Sequence, residues 1–409
     1  MSNNDVVVTG LGATTPLGGD VWSTWEAMLA GHSGGRHLDP ELVEKYRLPV
    51  RIAAPLAVEP ASVLPPGTVR RLDRCQQVAV VAAQQAWEEA KAQDHADPDR
   101  VGVVVGTGIG GIRTLLEQAD LLTGKGLRQM SPLTVPMLMP NGPAAQVGLA
   151  LGARAGVHAP VSACASGAEA LVWAWRMLRA GEADIVVAGG AEASLTGVTM
   201  AAFARTRTLS LRNDDPRRAS RPFDAHRDGF VLGEGAGLVV LERAEHARAR
   251  GAKVYARLAG VGTSADAHHI TAPDPTGRGQ ATAIRASLRS AQVSPADVDH
   301  VNAHATSTVV GDIPETVAIK EAIGDHPVLT APKGALGHLL GAAGSTEAIS
   351  TVLSLHHGLV PPTANLEQLD PQVEMDVVAG APRKTEASVA VCDSFGFGGH
   401  NVALTFVKE

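Results

Sequence analysis

Short runs rich in valine and alanine alternate along the chain with longer alanine-rich stretches whose apolar residues recur at helical spacing. The runs 5-DVVVTGLG, 100-RVGVVVGTG, 184-DIVVAGGAEA, 237-GLVVLERAEHARARG and 298-VDHVNAHATST read as strands, mostly without the polar alternation of a half-solvated sheet. Between them, Leu171, Ala174 or Trp175, and Leu178 share one helical face, and Gly181 stands where a helix stops. Strands alternating with helices predict an α/β protein with a largely buried sheet.

No Ser/Pro linker, charge block or low-complexity tract divides the chain. A faint internal echo does. The order strand, small-residue turn, long helix occurs at 160-PVSACASGAEAL and again at 330-TAPKGALGHLLGAAGSTEAI. The pair 230-FVLGEGAGLVVLE and 395-FGFGGHNVALTF repeats a glycine-rich turn followed by a strand. A duplicated α/β unit with a break near Val254, giving halves 1–253 and 254–409, accounts for both. Two segments, 205-RTRTLSLRNDDPRRASRPFDAHRDG and 264-SADAHHITAPDPTGRG, read as long polar loops, and loops of that length tend to carry function.

Composition narrows the classes. The 409 residues are 45% hydrophobic, enough for a sizeable core. Three cysteines, Cys75, Cys164 and Cys392, are an odd number and too few for a disulfide framework, which points to a reducing, cytoplasmic compartment. The start MSNNDVVVTGLG lacks a basic stretch followed by a long apolar run, so no signal peptide is expected. No apolar window is long enough to predict a membrane span. A net charge of −7 argues against general nucleic-acid binding.

The candidate chemistry centres on Cys164. It follows the apolar run Val157 to Ala163 and precedes the helical segment, on a strand-to-helix turn among Ser, Ala and Gly. Unpaired N–H groups at a helix start favour a thiolate and can hold an oxyanion. The alternative is a small buried residue with an inert thiol. The stretch 106-GTGIGG matches a dinucleotide fingerprint, but the expected second strand with a terminal acidic residue is replaced by 120-DLLTGKGLRQMSPLT, and the match is rejected. The pairs His268–His269 and His356–His357 have no ligand cluster at metal spacing, so no metal site is expected. His304 lies just past the strand 298-VDHV, and His338 lies on a glycine-rich approach to a helix with Lys333 five residues before it. One thiol, two imidazoles and one ammonium at strand ends and helix starts form a complete inventory for thioester chemistry.

The set VSACASGAEA, VNAHATSTVVGD, PKGALGHLLGAAG and SFGFGGHN resembles, in order, the motif series of the elongating β-ketoacyl-acyl carrier protein (ACP) synthases of type II, actinobacterial fatty-acid synthesis. The likeness runs along essentially the whole chain. It implies the thiolase-like fold, two similar βαβαβαββ halves stacked as five α-β-α-β-α layers, dimeric as a homodimer or as a heterodimer with a chain-length-factor subunit. It implies that Cys164 carries the acyl chain from acyl-ACP as a thioester. Malonyl-ACP then loses carbon dioxide and condenses with it, while His304 and His338 stabilise the enolate and Lys333 orients them. It further implies an oxyanion hole from the N–H groups of Cys164 and Phe397, with Phe397 as gate, and pantetheine bonded by Thr306 and Thr308. Ile109 would line the acyl tunnel. Arg70, Arg71, Arg74, Arg205 and Arg207 would dock the acidic carrier. No cofactor is implied beyond the phosphopantetheine that arrives on ACP.

Departures from the family pattern are Pro332-Lys333-Gly334 before the second histidine, Asp393 before Ser394-Phe395, and 311-GDIPET. They leave open a ketosynthase of a type II polyketide system that builds polyene chains. An inactive scaffold partner is the third reading, opposed by the retention of all four reactive side chains.

Overall fold

The computed structural model describes residues 5–409. One sheet of eleven strands organises them. In chain order these are β1 (Val6–Thr14), β2 (Val101–Gly106), β3 (Gly156–His158), β4 (Ile185–Glu192), β5 (Gly235–Arg243), β6 (Ala256–Ala265), β7 (His300–Asn302), β8 (Val328–Thr330), β9 (Asp376–Val377), β10 (Val389–Gly396) and β11 (His400–Val407). The helices that matter for the site are α1 (Arg74–Ala90), α2 (Ile112–Lys125), α3 (Gly142–Leu151), α4 (Ser166–Arg179), α5 (Gly197–Arg205), α6 (Arg278–Ala291), α7 (Asp312–Ala322) and α8 (Ala343–His357).

The strand order is β9-β8-β7-β10-β11-β6-β1-β5-β4-β2-β3. Read outward from the middle, β1-β5-β4-β2-β3 on one side repeats as β6-β11-β10-β7-β8 on the other, with β9 added at the edge. Orientation repeats too: β5 is antiparallel to β1 and β4, as β11 is to β6 and β10. The halves meet where Val6, Val7 and Val8 pair with Leu258, Arg257 and Ala256.

Helices α4 and α8 each touch strands of both halves and each other, so they form a middle layer. Helices α1 and α3 cover the outer face of the first half, and α6 with α7 that of the second. The result is the five-layer α-β-α-β-α stack of a thiolase-like fold.

Helix α8 is buried on every side from Ala343 to Leu355, yet its sequence is AGSTEAISTVLSL. Small residues let both sheets approach. Three of its hydroxyls are satisfied by carbonyls one turn back, Thr346 donating to Ala342 O (2.9 Å), Thr351 to Glu347 O (2.8 Å) and Ser354 to Ser350 O (2.9 Å), whereas the buried Ser350 Oγ has no partner. Both middle helices are entered through a tight turn, Ala163–Ala165 before α4 and Leu340–Ala342 before α8. Each turn starts on a non-glycine residue in the left-handed region, Ala163 at φ 52° and Leu340 at φ 45°. The duplication therefore reaches down to single torsion angles.

The helical spacing through Leu171 and Leu178 is realised in α4, and Gly181 lies just past it at φ 72°. The run from Val157 to Ala163 is only partly strand: β3 ends at His158 and Pro160 follows, where no amide donor is available for a ladder.

Candidate active site

Cys164 sits at the centre of the turn before α4, 8% exposed. The left-handed Ala163 costs roughly 1–2 kcal/mol and makes the bend from the β3 side into the helix sharp enough to present the sulfur. Two features of β10 hold the turn. Ser394 Oγ donates to Cys164 O at 3.3 Å, and Gly396 passes so close that a Cβ there would lie 2.5 Å from Ser162 O. The N–H groups of Phe397 and of Cys164 itself point at the sulfur. The sequence reading expects a thiolate favoured by the helix start; the structure reverses this. Burial pushes the thiol up to about 11, and the Lys333 ammonium and the two N–H groups offset only part of that.

Lys333, His304 and His338 converge on this thiol. The Lys333 side chain is 1% exposed, and its Nζ lies 2.6 Å from Glu347 Oε1 and 3.1 Å from His304 Nδ1. An ammonium only donates, so His304 Nδ1 accepts and the ring proton sits on Nε2. His338 Nδ1 accepts the Leu340 N–H at 3.3 Å, which places its proton on Nε2 as well. The rings meet edge-to-face with centroids 5.4 Å apart. Burial, and then the Lys333 charge, hold both histidines well below the usual imidazole range. Both are neutral donors at physiological pH.

Buried carboxylates surround this core. Glu347 lies on α8 beside Lys333, and burial raises it to about 7 in spite of the ammonium. Glu315 of α7 accepts the His304 backbone N–H at 2.6 Å and is raised well above its ordinary range, by burial first and then by Asp393. Asn302 Oδ1, Glu347 Oε2 and both Asp393 oxygens are buried acceptors without a protein donor. Among the described residues, no group of three or more His, Cys, Asp or Glu is arranged to hold a metal ion.

A cavity of about 100 Å³ opens above the sulfur. Its lining mixes apolar side chains, among them Phe203, Phe230 and Leu340, with polar ones, among them Asp266, Thr271, Gln280, Thr306, Thr308 and Asn401. Phe395 and Phe397 also line it. Thr306 and Thr308 hydroxyls are 3.0 Å apart. The loop after β6, residues 266–277, makes three polar ties to the Phe397 turn and the start of β11: Asp266 N donates to Gly399 O (3.0 Å), Gly398 N to Ile270 O (2.7 Å) and Asn401 Nδ2 to Asp266 Oδ1 (2.6 Å). Ile109 is packed against the apolar cluster that holds Cys164 but is not part of the cavity wall.

The glycine-rich stretch 106-GTGIGG has a structural duty. Its Gly108 N–H donates to the buried Glu192 (2.8 Å), which also accepts Thr107 Oγ1 (3.3 Å) and Gly341 N (3.2 Å). This ties β2, β4 and the turn before α8 together.

The arginines divide. Arg70, Arg71, Arg205 and Arg207 are exposed. Arg205 and Arg207 flank Phe203 and Thr208 of the cavity wall, whereas Arg70 and Arg71 adjoin no wall residue. Arg74 is corrected: it faces inward at the start of α1, its side chain 11% exposed, with Nη2 2.6 Å from the buried Glu234 and further bonds to Glu59. The ion pairs leave no charge there for docking. His268 and His269 are exposed in the loop; His356 and His357 end α8 and pack on Tyr255, Trp22 and Trp25.

Sequence reasoning misses Phe203, Phe230, Gln280, Glu315 and Glu347. For Glu347 a signal exists: a lone acid inside a helix of Ala, Gly, Ser and Thr.

Comparison with known proteins agrees with this geometry. The family description "Beta-ketoacyl synthase, N-terminal domain" matches residues 3–247, and "Beta-ketoacyl synthase, C-terminal domain" matches residues 255–367. The 3-oxoacyl-[acyl-carrier-protein] synthase 2 of Mycobacterium tuberculosis is 47% identical over 403 residues, covering 98% of this chain and 96% of the relative. The protein of the same name from Synechocystis is 42% identical, with 98% of each covered. A beta-ketoacyl synthase from Burkholderia phymatum superposes with a TM-score of 0.92 at 33% identity, over 99% of each chain. A structure of a type II polyketide acyl-carrier protein in complex with its ketosynthase gives 0.91 at 30% identity, again over 99% of each. The chain belongs to the beta-ketoacyl synthase family and is an acyltransferase of that family.

Proposed function

We propose that the chain elongates fatty acyl groups by decarboxylative condensation, with acyl-ACP and malonyl-ACP as substrates. The observation that carries this reading is the pair of neutral imidazoles, fixed with Nε2–H outward by Lys333 and the Leu340 amide, beside a thiol that faces two backbone donors.

The Cys164 sulfur attacks the acyl-ACP thioester, and its proton leaves on the pantetheine thiol, so the exchange creates no net charge in a dry site. The N–H groups of Cys164 and Phe397 hold the transient oxyanion. When malonyl-ACP follows, the C–C bond to its carboxylate breaks and carbon dioxide departs. The electron pair moves into an enolate whose oxygen receives the Nε2–H bonds of His304 and His338. The carbanion carbon then attacks the Cys164 thioester, releasing β-ketoacyl-ACP and a thiolate that regains a proton from solvent. Thr306 and Thr308 line the approach for the pantetheine arm, and Phe397 gates it. The chemistry so written uses no redox group.

Ile109 and its apolar neighbours supply the side of the site that suits hydrocarbon. Arg205 and Arg207 at the mouth, with Arg70 and Arg71, suit an acidic carrier. Exposed Leu149, Val157 and Val161 around the edge strand β3 suit a dimer partner, either a second copy or a chain-length-factor subunit. The polyketide reading uses the same reacting groups. One similar structure is titled "The ishigamide ketosynthase/chain length factor", with a TM-score of 0.90 at 32% identity over 99% of each chain. We place the enzyme in the cytoplasm, in keeping with three free cysteines.

Incubation with acyl-ACP followed by mass spectrometry tests the proposal: an acyl adduct on Cys164 is expected, discharged as β-ketoacyl-ACP when malonyl-ACP is added. Absence of the adduct favours a silent scaffold. Product lengths from a panel of acyl-ACPs separate the fatty-acid and polyketide readings.

A further inference from the structure

A second cavity lies at the far end of α8 from the reactive thiol. The 15 residues of that helix start beside the Cys164 turn and end at His357, about 22 Å away. Left-handed Gly358 (φ 63°) then turns the chain into the short strand Leu359–Val360, which pairs with Arg383–Lys384. Thr385 N donates to Gly358 O (3.0 Å) and Lys408 N to Ser388 O (2.8 Å), so the backbone fixes where Lys384 and Lys408 leave the chain. These two lysines line an open groove of about 790 Å³ together with His357, Leu359 and Glu386.

The chain holds eight lysines. Lys45, Lys320 and Lys333 pair with carboxylates. Three of the others gather here. Lys253 Nζ stands 3.9 Å over the Tyr255 ring and 5.9 Å over that of Trp22, which lies 6.0 Å from the His357 ring. Among the described residues, Lys253, Lys384 and Lys408 have no carboxylate partner, and Glu386 is the one acid in the groove lining. Burial, and then the Lys253 charge, holds His356 and His357 below the usual imidazole range, and Lys408 adds to this at His356. A positive field therefore extends over the end of α8. At a solvent-facing site an ammonium about 4 Å from one negative charge strengthens binding roughly fivefold, so a monoanion gains little and a multiply charged group gains from every lysine. Ammoniums meet phosphate oxygens as point charges and need no forked geometry. We infer that this groove binds a diphosphate group, free or at the end of an organic molecule. Lys384 and Lys408 hold it, with Lys253 on the His357 side, at a site separate from the reactive thiol.

Isothermal titration of the whole chain with inorganic pyrophosphate, against potassium chloride at equal ionic strength, tests this. One pyrophosphate per chain is expected, with a Kd below about 1 mM. Lys384→Gln and Lys408→Gln should each weaken it roughly fivefold, and the double variant roughly 25-fold, with the urea-unfolding midpoint unchanged. ADP is the second ligand titrated. An affinity equal to that of pyrophosphate assigns recognition to the diphosphate alone; a tighter one, weakened by the same substitutions, adds contact with an organic body. Heat that never saturates with either ligand, or a double variant that binds as tightly as the wild type, overturns the site.

Discussion

Iodoacetamide is uncharged and small, and its rate of reaction with Cys164 reads the thiolate fraction. Burial places this thiol at about 11. At pH 7.5 that is 3.5 units below the midpoint, so roughly one sulfur in 3,000 is ionised, against about one in ten for a free cysteine. Alkylation in the resting enzyme should therefore run about 300-fold slower than for free cysteine and climb about tenfold per pH unit from 7 to 10. The Lys333 ammonium is the largest influence that lowers this thiol. Lys333→Met should push it up by about a further unit, some 1.4 kcal/mol, and slow alkylation roughly tenfold at fixed pH. The adduct is counted by intact-mass measurement over time. A rate that levels off between pH 7 and 8, or a faster Lys333→Met variant, would show that the oxyanion donors outweigh burial and that the electrostatic reasoning is wrong.

His338→Ala should lower carbon dioxide release from malonyl-ACP by about 10²–10³ while leaving acyl transfer to Cys164 much less affected; equal losses in both assays contradict the role given to its Nε2–H. Arg74→Ala removes the counter-charge of the buried Glu234 and should cost about 3 kcal/mol in urea unfolding, whereas Arg207→Glu should leave unfolding unchanged and raise KM for ACP. Ala163→Gly relieves a left-handed alanine and should raise stability by about 0.5–1 kcal/mol in the same titration, after the entropy glycine adds to the unfolded chain. A fall in stability there means the turn is held by something other than its torsion.

The reactive quartet was legible because each member sits in a short local pattern: Cys164 before a helix, His304 past a strand, Lys333 and His338 in one glycine-rich run. The duplicated fold was legible for the same reason, since each echo pairs a turn with the element after it. What escaped depends on closure between distant segments. Phe203 and Phe230 face the sulfur only because the 205–229 stretch folds back, and Gln280 reads as an ordinary polar position on α6 until the loop before it covers the cavity. Arg74 looked like part of a basic cluster because sequence proximity hides Glu234, 160 residues away and 2.6 Å distant. The state of the thiol was misjudged because a helix start is a local feature and desolvation is not.

The matched turns before α4 and α8 put Gly341 at the place in the second half that Cys164 holds in the first. A Cβ at Gly341 would lie 2.3 Å from the Gly108 amide, so backbone from the glycine-rich stretch already fills the room a second sulfur would need. An architecture built from two copies of one motif is thus limited to a single workplace per polypeptide. The vacated elbow has become the bracket that anchors the occupied one, and restoring the lost symmetry would dismantle the machine.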